Sequence, residues 1–123
     1  MKRKRILVVD DSSTVLMMEK MILAKAQYEI ITASNGEEAW QKAASDRPDA
    51  ILMDVVMPKM NGFEAVRRIR EVEHLALTPI IMVTTRSEME NVEEGFSSGC
   101  NDYVTKPVNG TELVAKLRSL VGE

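Results

Sequence analysis

The amino-acid sequence predicts an α/β fold, a single doubly wound five-stranded parallel sheet, with residues 1–123 forming one domain. Three observations predict it. Short apolar runs alternate five times with helical stretches of about ten residues, the pattern of strand–helix units whose crossovers cover both faces of a parallel sheet. The apolar runs are continuous, as in strands buried on both sides. The length, 123 residues, suits one domain with one core.

The first strand is read at residues 5–10, Arg5-Ile6-Leu7-Val8-Val9-Asp10. Ser12 or Ser13 then caps a helix running to about Ala26, because a hydroxyl there accepts a hydrogen bond from the free amides of the first turn. Val15, Met18 and Ile22 share the face predicted to meet the core, while Leu16 and Met17 fall off it, near the acids that follow the strand. Tyr28 to Ala33 is the second strand, punctuated by Asn35-Gly36. A short helix from Glu37 to Ser45 offers Ala39, Trp40 and Ala43 for packing, and Arg47-Pro48 stops it. The third strand is the run Ala50-Ile51-Leu52-Met53 with Asp54 at its end, and Pro58 disfavours any extension.

Asn61-Gly62 turns the chain into a helix from Phe63 to Glu71, with Phe63, Val66 and Ile69 on one side. Thr78-Pro79 leads into the fourth strand, Ile80-Ile81-Met82-Val83, which ends at Thr84-Thr85. Glu88 to Ser98 is a fourth helix, stopped by Gly99. Asn101 to Thr105 is a short fifth strand ended by Lys106-Pro107. Asn109-Gly110-Thr111 opens the last helix, whose packing face is Leu113, Val114, Leu117 and Leu120.

Composition narrows the function. Hydrophobic residues make up 45% and charged residues 28%, the proportions of a water-soluble globular domain. A net charge of −3 argues against nucleic-acid binding through the domain body. The start, Met1-Lys2-Arg3-Lys4-Arg5, is basic, but the apolar run Ile6-Leu7-Val8-Val9 is too short for a signal peptide. No apolar run approaches the roughly 20 residues that span a bilayer, so a cytoplasmic protein without membrane partners is expected. Cys100 is the single cysteine and reads as a packed side chain, which leaves no intrachain disulfide or thiolate metal site. His74, the single histidine, reads as solvated, which disfavours serine–histidine hydrolysis and histidine-rich metal centres.

In sheets of this kind ligands bind beyond the carboxyl ends of the strands, where strand order reverses. The residues there are Asp10, Asp11, Asp54, Thr84 and Lys106. Each alone has an ordinary role as a cap, a strand end or a surface charge, but jointly they form a site. Like charges at roughly 4 Å repel by on the order of 4 kcal/mol at an effective dielectric of about 20, so three carboxylates need a cation or a shared proton. Oxygen ligands alone favour a hard divalent ion such as Mg²⁺. An ion, an ammonium and a hydroxyl together suit a phosphoryl group, and a carboxylate can itself be the nucleophile that forms an aspartyl-phosphate.

Four segments now resemble a known family: Val8-Val9-Asp10-Asp11-Ser12; Leu52-Met53-Asp54-Val55-Val56-Met57-Pro58 with Asn61-Gly62; Val83-Thr84-Thr85; and Asp102-Tyr103-Val104-Thr105-Lys106-Pro107. In this order and spacing they resemble the receiver domain of two-component response regulators, most closely stand-alone receivers of the chemotaxis-regulator kind. The resemblance spans essentially the whole chain. It implies a flavodoxin-like (βα)5 sheet in order 2-1-3-4-5. It implies that Asp54 is the phosphoacceptor, taking a phosphoryl group from a histidine of a sensor histidine kinase or a histidine phosphotransfer protein. Asp11, Asp54 and the backbone carbonyl of Val56 would bind Mg²⁺ directly, with Asp10 acting mainly through water. Lys106 would pair with Asp54 or with the phosphoryl group, and its bond to Pro107 is expected to be cis. Thr84 would move to the phosphoryl group and Tyr103 would turn inward into the vacated space, relaying the change to the face made by the fourth helix, fifth strand and fifth helix. Such a chain catalyses its own phosphorylation and dephosphorylation, with no activity on an external substrate.

Three features depart from the family pattern: Asn61 stands where many members carry Asp, Thr85 where Ala or Gly is common, and Val56 is apolar two residues after Asp54. Thr85, and Val56 together with Arg86, are expected to alter rates rather than chemistry. Because the sequence ends at Val121-Gly122-Glu123, it reads as a stand-alone receiver, with a fragment of a longer protein as the alternative. Glu88, Glu90, Glu93 and Glu94, with Lys116, Arg118 and Tyr103, are expected to dock a downstream effector or, in a phosphorylation-dependent dimer, a second copy. Leu16 and Met17 are candidates for contact with a helical phosphotransfer partner. An aspartyl-nucleophile phosphatase is the first rival, but such enzymes need a second acid where Val56 stands and a substrate-covering cap. A receiver fold that only binds partners predicts a missing acid, threonine or lysine, and all are present. A flavin protein would need a phosphate loop after the first strand.

Overall fold

Side chains along a strand alternate between its two faces, and that alternation sorts the apolar residues of this chain into two cores. The computed structural model describes residues 3–57, 60–85 and 99–122. The elements follow in the order β1 (Arg5–Val9), α1 (Ser13–Lys25), β2 (Glu29–Ala33), α2 (Gly36–Asp46), β3 (Ala50–Asp54), α3 (Gly62–Arg70), β4 (Ile80–Thr84), β5 (Asp102–Thr105) and α4 (Gly110–Val121). The last of these is the predicted fifth helix. The helix predicted at Glu88–Ser98, together with Arg86 and Pro58, lies outside the described residues. A 3₁₀ turn, Glu73–Leu75, was not anticipated, and His74 within it is exposed but bonds through Nε2 to the Ala44 carbonyl at 3.1 Å.

All neighbouring strands are parallel, in the order β2-β1-β3-β4-β5, as the resemblance implied. Leu7, Val9, Ile51, Met53, Ile80 and Met82 face α2 and α3, meeting Ala39, Phe63, Val66 and Ile69. Ile6, Val8, Leu52, Ile81, Val83 and Val104 face α1 and α4, meeting Leu23, Leu113 and Leu117. Every residue of β3 and β4 is buried, which accounts for their unbroken apolar runs. Each described α-helix begins with a side-chain cap: Ser12 accepts from the Val15 N–H, Asn35 from Glu38, Asn61 from Glu64 and Asn109 from Glu112. Asn61 therefore does at the start of α3 what a capping aspartate would do.

One helix is turned differently from the sequence expectation. In α1 the buried residues are Glu19 and Leu23, Leu16 packs against the α1/α4 core, and Met18 is 40% exposed. Apolar side chains lie all round this helix, so no single stripe selects a face. Of the residues expected to face the core, Ile22 packs against it, but Met18 does not; tertiary packing seats Leu23, and the Leu16–Glu19–Leu23 line turns inward with it.

Candidate functional site

Parallel strands and returning helices place every strand's carboxyl end on one edge of the sheet, and the chemistry-bearing residues gather there. Asp10 follows β1 directly, its N–H donating to the Ala33 carbonyl at 3.1 Å. Its Oδ1 accepts the Ser12 N–H at 2.9 Å, which shapes the turn into α1. Its Oδ2 lies 3.3 Å from Lys106 Nζ. The turn-shaping bond and the contact with Lys106 thus fall to different oxygens of one carboxylate.

Asp54 ends β3, beside Val83 of β4. The loop after it folds back so that the Gly62 N–H donates to the Val55 carbonyl at 2.8 Å. A Cβ on Gly62 would sit 2.2 Å from the Asp54 carbonyl oxygen, so α3 can start this close only because residue 62 has no side chain. Lys106 enters from the loop after β5. Its N–H donates to the Thr84 carbonyl at 2.6 Å, its bond to Pro107 is cis, and its Nζ donates to Asp54 Oδ1 at 3.0 Å.

Asp10 and Asp54 are 1% and 2% exposed, whereas Asp11 is open to solvent at the mouth. The three carboxylates each present an oxygen within 4.8 Å of the others. Burial pushes the Asp54 carboxyl up to about 6; the Lys106 hydrogen bond opposes this, and the charges of Asp10 and Asp11 reinforce it. Burial would by itself pull Lys106 down, but the bonds and charges of Asp54 and Asp10 hold it above its ordinary value. An all-oxygen donor set, negative in excess of its one ammonium and open on the Asp11 side, fits a hard divalent cation. Val56, 60% exposed, follows Asp54 on the same loop.

The sequence-predicted residues fall into two groups. Asp10, Asp11, Asp54 and Lys106 converge. Thr84 and Tyr103 are set on the α2/α3 side of the sheet: Met82 pairs with Tyr103, Thr84 follows Met82 by two residues, and the Thr84 carbonyl accepts the Lys106 N–H. Thr84 is 1% exposed and its hydroxyl donates to the Thr85 carbonyl at 3.2 Å. Tyr103 is already buried, at 8% exposure.

Sequence reasoning missed Glu19. It is 1% exposed, its Oε2 has no hydrogen-bond partner, and burial followed by the charge of Asp10 pushes it up to about 8. The signal was available in the i, i+3, i+7 spacing of Leu16, Glu19 and Leu23, which sets an acid on an apolar line.

Comparison with known proteins follows the same lines. Residues 6–118 match the family model of the response regulator receiver domain. The chain is 36% identical over 118 residues to the alkaline phosphatase synthesis transcriptional regulatory protein PhoP of Bacillus subtilis, covering 96% of this chain and 48% of that one. It therefore spans about half the length of the curated relatives it matches. The chemotaxis protein CheY4 of Vibrio cholerae superposes with a TM-score of 0.91 at 38% identity, over 97% of this chain and 99% of that one. The receiver domain of the sensor histidine kinase PA1611 of Pseudomonas aeruginosa, solved with a magnesium ion coordinated in its active site cleft, superposes with a TM-score of 0.92 at 31% identity, over 99% and 100% of the two chains. Among the described residues no helix is long and apolar enough to cross a membrane.

Proposed function

This chain belongs to the response regulator receiver family, and we propose that it works as a phosphorylation-driven switch with Asp54 as its phosphoacceptor. One observation carries the proposal: three carboxylates from two strand ends converge within 4.8 Å, and one lysine bridges two of them at 3.0 and 3.3 Å. An ionised Asp54 oxygen attacks the phosphorus of a phosphohistidine on a sensor histidine kinase or histidine phosphotransfer protein. The phosphorus–nitrogen bond breaks and its electron pair returns to the imidazole. Asp11 and Asp54, with the Val56 carbonyl and Asp10, would hold Mg²⁺. The chemistry such an ion would supply is neutralisation of charge on the phosphoryl oxygens.

Lys106 can exchange Asp54 Oδ1 for a phosphoryl oxygen without leaving Asp10, and so keeps its charge beside the new group. Thr84, one residue beyond the cross-strand neighbour of Asp54, supplies a hydroxyl to the phosphoryl group. Tyr103 shares its face and carries the change toward β5 and α4, where an effector or a second copy docks. Met17, 64% exposed on the first turns of α1, and the half-buried Leu16 beside it offer contact to the phosphoryl donor.

Intact mass tests this directly. With Mg²⁺ and a small phosphoryl donor, the native chain should gain one phosphoryl group, whereas Asp54→Asn, or native chain in EDTA, gains none. Equal gain in the Asp54→Asn variant would overturn the assignment.

A further inference from the structure

The chain has nine methionines, and three of them, Met17, Met18 and Met21, fall within five consecutive residues of α1. They are 64%, 40% and 68% exposed, whereas Met53 and Met82 are fully buried. Met17 and Met21 are one helical turn apart, on one face. Both line an open groove of about 440 Å³ between α1 and β2, whose other apolar lining is Leu16, Ala24 and Ile30. The exposed Lys20 lines the same groove, and no carboxylate does.

A thioether sulfur is a nucleophile toward a hydroperoxide. Its lone pair attacks one peroxide oxygen, the oxygen–oxygen bond breaks, and the departing hydroxide takes the proton of the transferred oxygen and leaves as water. Sulfur is oxidised to the sulfoxide and the peroxide is reduced, with no other reactant. Surrounding water relays that proton, so a solvated sulfur reacts directly and a buried one only when the structure opens. The product differs with place as well. On α1 the new sulfur–oxygen dipole stands in solvent near Lys20, whereas at Met53 or Met82 it would be a polar group inside the apolar core.

We propose that Met17, Met18 and Met21 form a reversible oxidation site, at which a hydroperoxide turns the outer face of α1 from apolar to polar while the fold stands. Sulfoxide reductases, one for each sulfoxide epimer, return the thioether with a dithiol as reductant and release the oxygen as water, so the change runs in both directions. Where Met17 is read as a contact for the phosphoryl donor, oxidation weakens that contact and leaves the carboxylates at the strand ends unaltered. That last consequence rests on the function proposed above; the oxidation itself does not.

Dilute hydrogen peroxide acting on the folded native chain, followed by peptide mapping by mass, tests the site. Oxygen should enter Met17, Met18 and Met21 at least about tenfold faster than Met53 and Met82, because the buried sulfurs react only from opened conformations. Retention on a hydrophobic-interaction column should fall as the three react, and return with the two sulfoxide reductases and dithiothreitol. The oxidised chain should still unfold cooperatively in urea. A variant carrying Met17→Leu, Met18→Leu and Met21→Leu keeps an apolar face without sulfur, and its retention should respond far less to peroxide. Comparable rates at buried and exposed methionines would overturn the proposal on the native chain alone. So would retention that falls as much in the leucine variant, retention that the reductases do not restore, or an oxidised chain that no longer folds. None of these measurements needs a reaction at Asp54, so their failure and failure of the phosphoacceptor assignment are separate results.

Discussion

Helices α1 and α3 both begin at the acid-lined edge of the sheet, yet they meet it by opposite means. In α3 an apolar stripe of Phe63, Ala65, Val66 and Ile69 is buried, Arg67 and Arg68 stay outside, and Arg68 lies over the Trp40 ring at 5.4 Å. Its first residue, Gly62, lets the helix touch the backbone at Asp54. In α1 the methionines Met17, Met18 and Met21 are exposed and an acid, Glu19, is buried on the inner line. The contrast shows that α3 is placed by shape and hydrophobic burial, whereas the inner side of α1 also buries a titratable acid that the fold keeps protonated below about pH 8.

The largest expected effect tests the close approach. Gly62→Ala would push a methyl into the Asp54 carbonyl, and the backbone there has no flexible side chain to yield. A loss on the order of 4 kcal/mol or more is expected in denaturant unfolding. A loss below about 1 kcal/mol, the ordinary cost of a point substitution, would mean the α3 contact is soft.

Next comes the buried acid of α1. The folded value for Glu19, about 8, lies above its ordinary 4.5, so the folded chain holds this proton more tightly than the unfolded chain. The stability it contributes is complete below about 4.5 and is lost as pH rises through about 8. Glu19→Gln cannot lose that proton. Measured by unfolding in the absence of divalent ions, the variant should overtake the native chain between those limits, by on the order of 3 kcal/mol. Parallel pH profiles for the two chains would show that Glu19 is ionised in the fold.

The smallest effect is expected on the outer side of α1. Met18→Ser at a 40% exposed position should change stability by no more than about 0.5 kcal/mol. A cost of 2 kcal/mol or more, typical of a buried methionine, would restore the face first expected from the sequence.

Much of the fold was legible because its signals are local. The buried strands are unbroken apolar runs, and Asn35, Asn61 and Asn109 each cap the helix that follows. The acids, the threonine and the lysine mark strand ends through their own neighbours in the chain. The site was less legible wherever a residue's role depends on partners far away. Met18 and Glu19 are adjacent, and each sits on an apolar line, Val15–Met18–Ile22 or Leu16–Glu19–Leu23, so only packing decides which turns inward. Tyr103 reads as a mobile aromatic, and its seat in the α2/α3 core shows only in the fold.

By itself the sequence determined the alternation of strands and helices and the inventory of groups at the strand ends, since both are written in residue type and short-range spacing. Tertiary structure alone decided the face of α1 that is buried, the sharing of Lys106 between Asp10 and Asp54, and the inward seat of Tyr103. The reason is physical: a side chain's depth, charge state and partner follow from atoms brought close by folding, and residues 10, 54 and 106 become neighbours only when the parallel sheet forms.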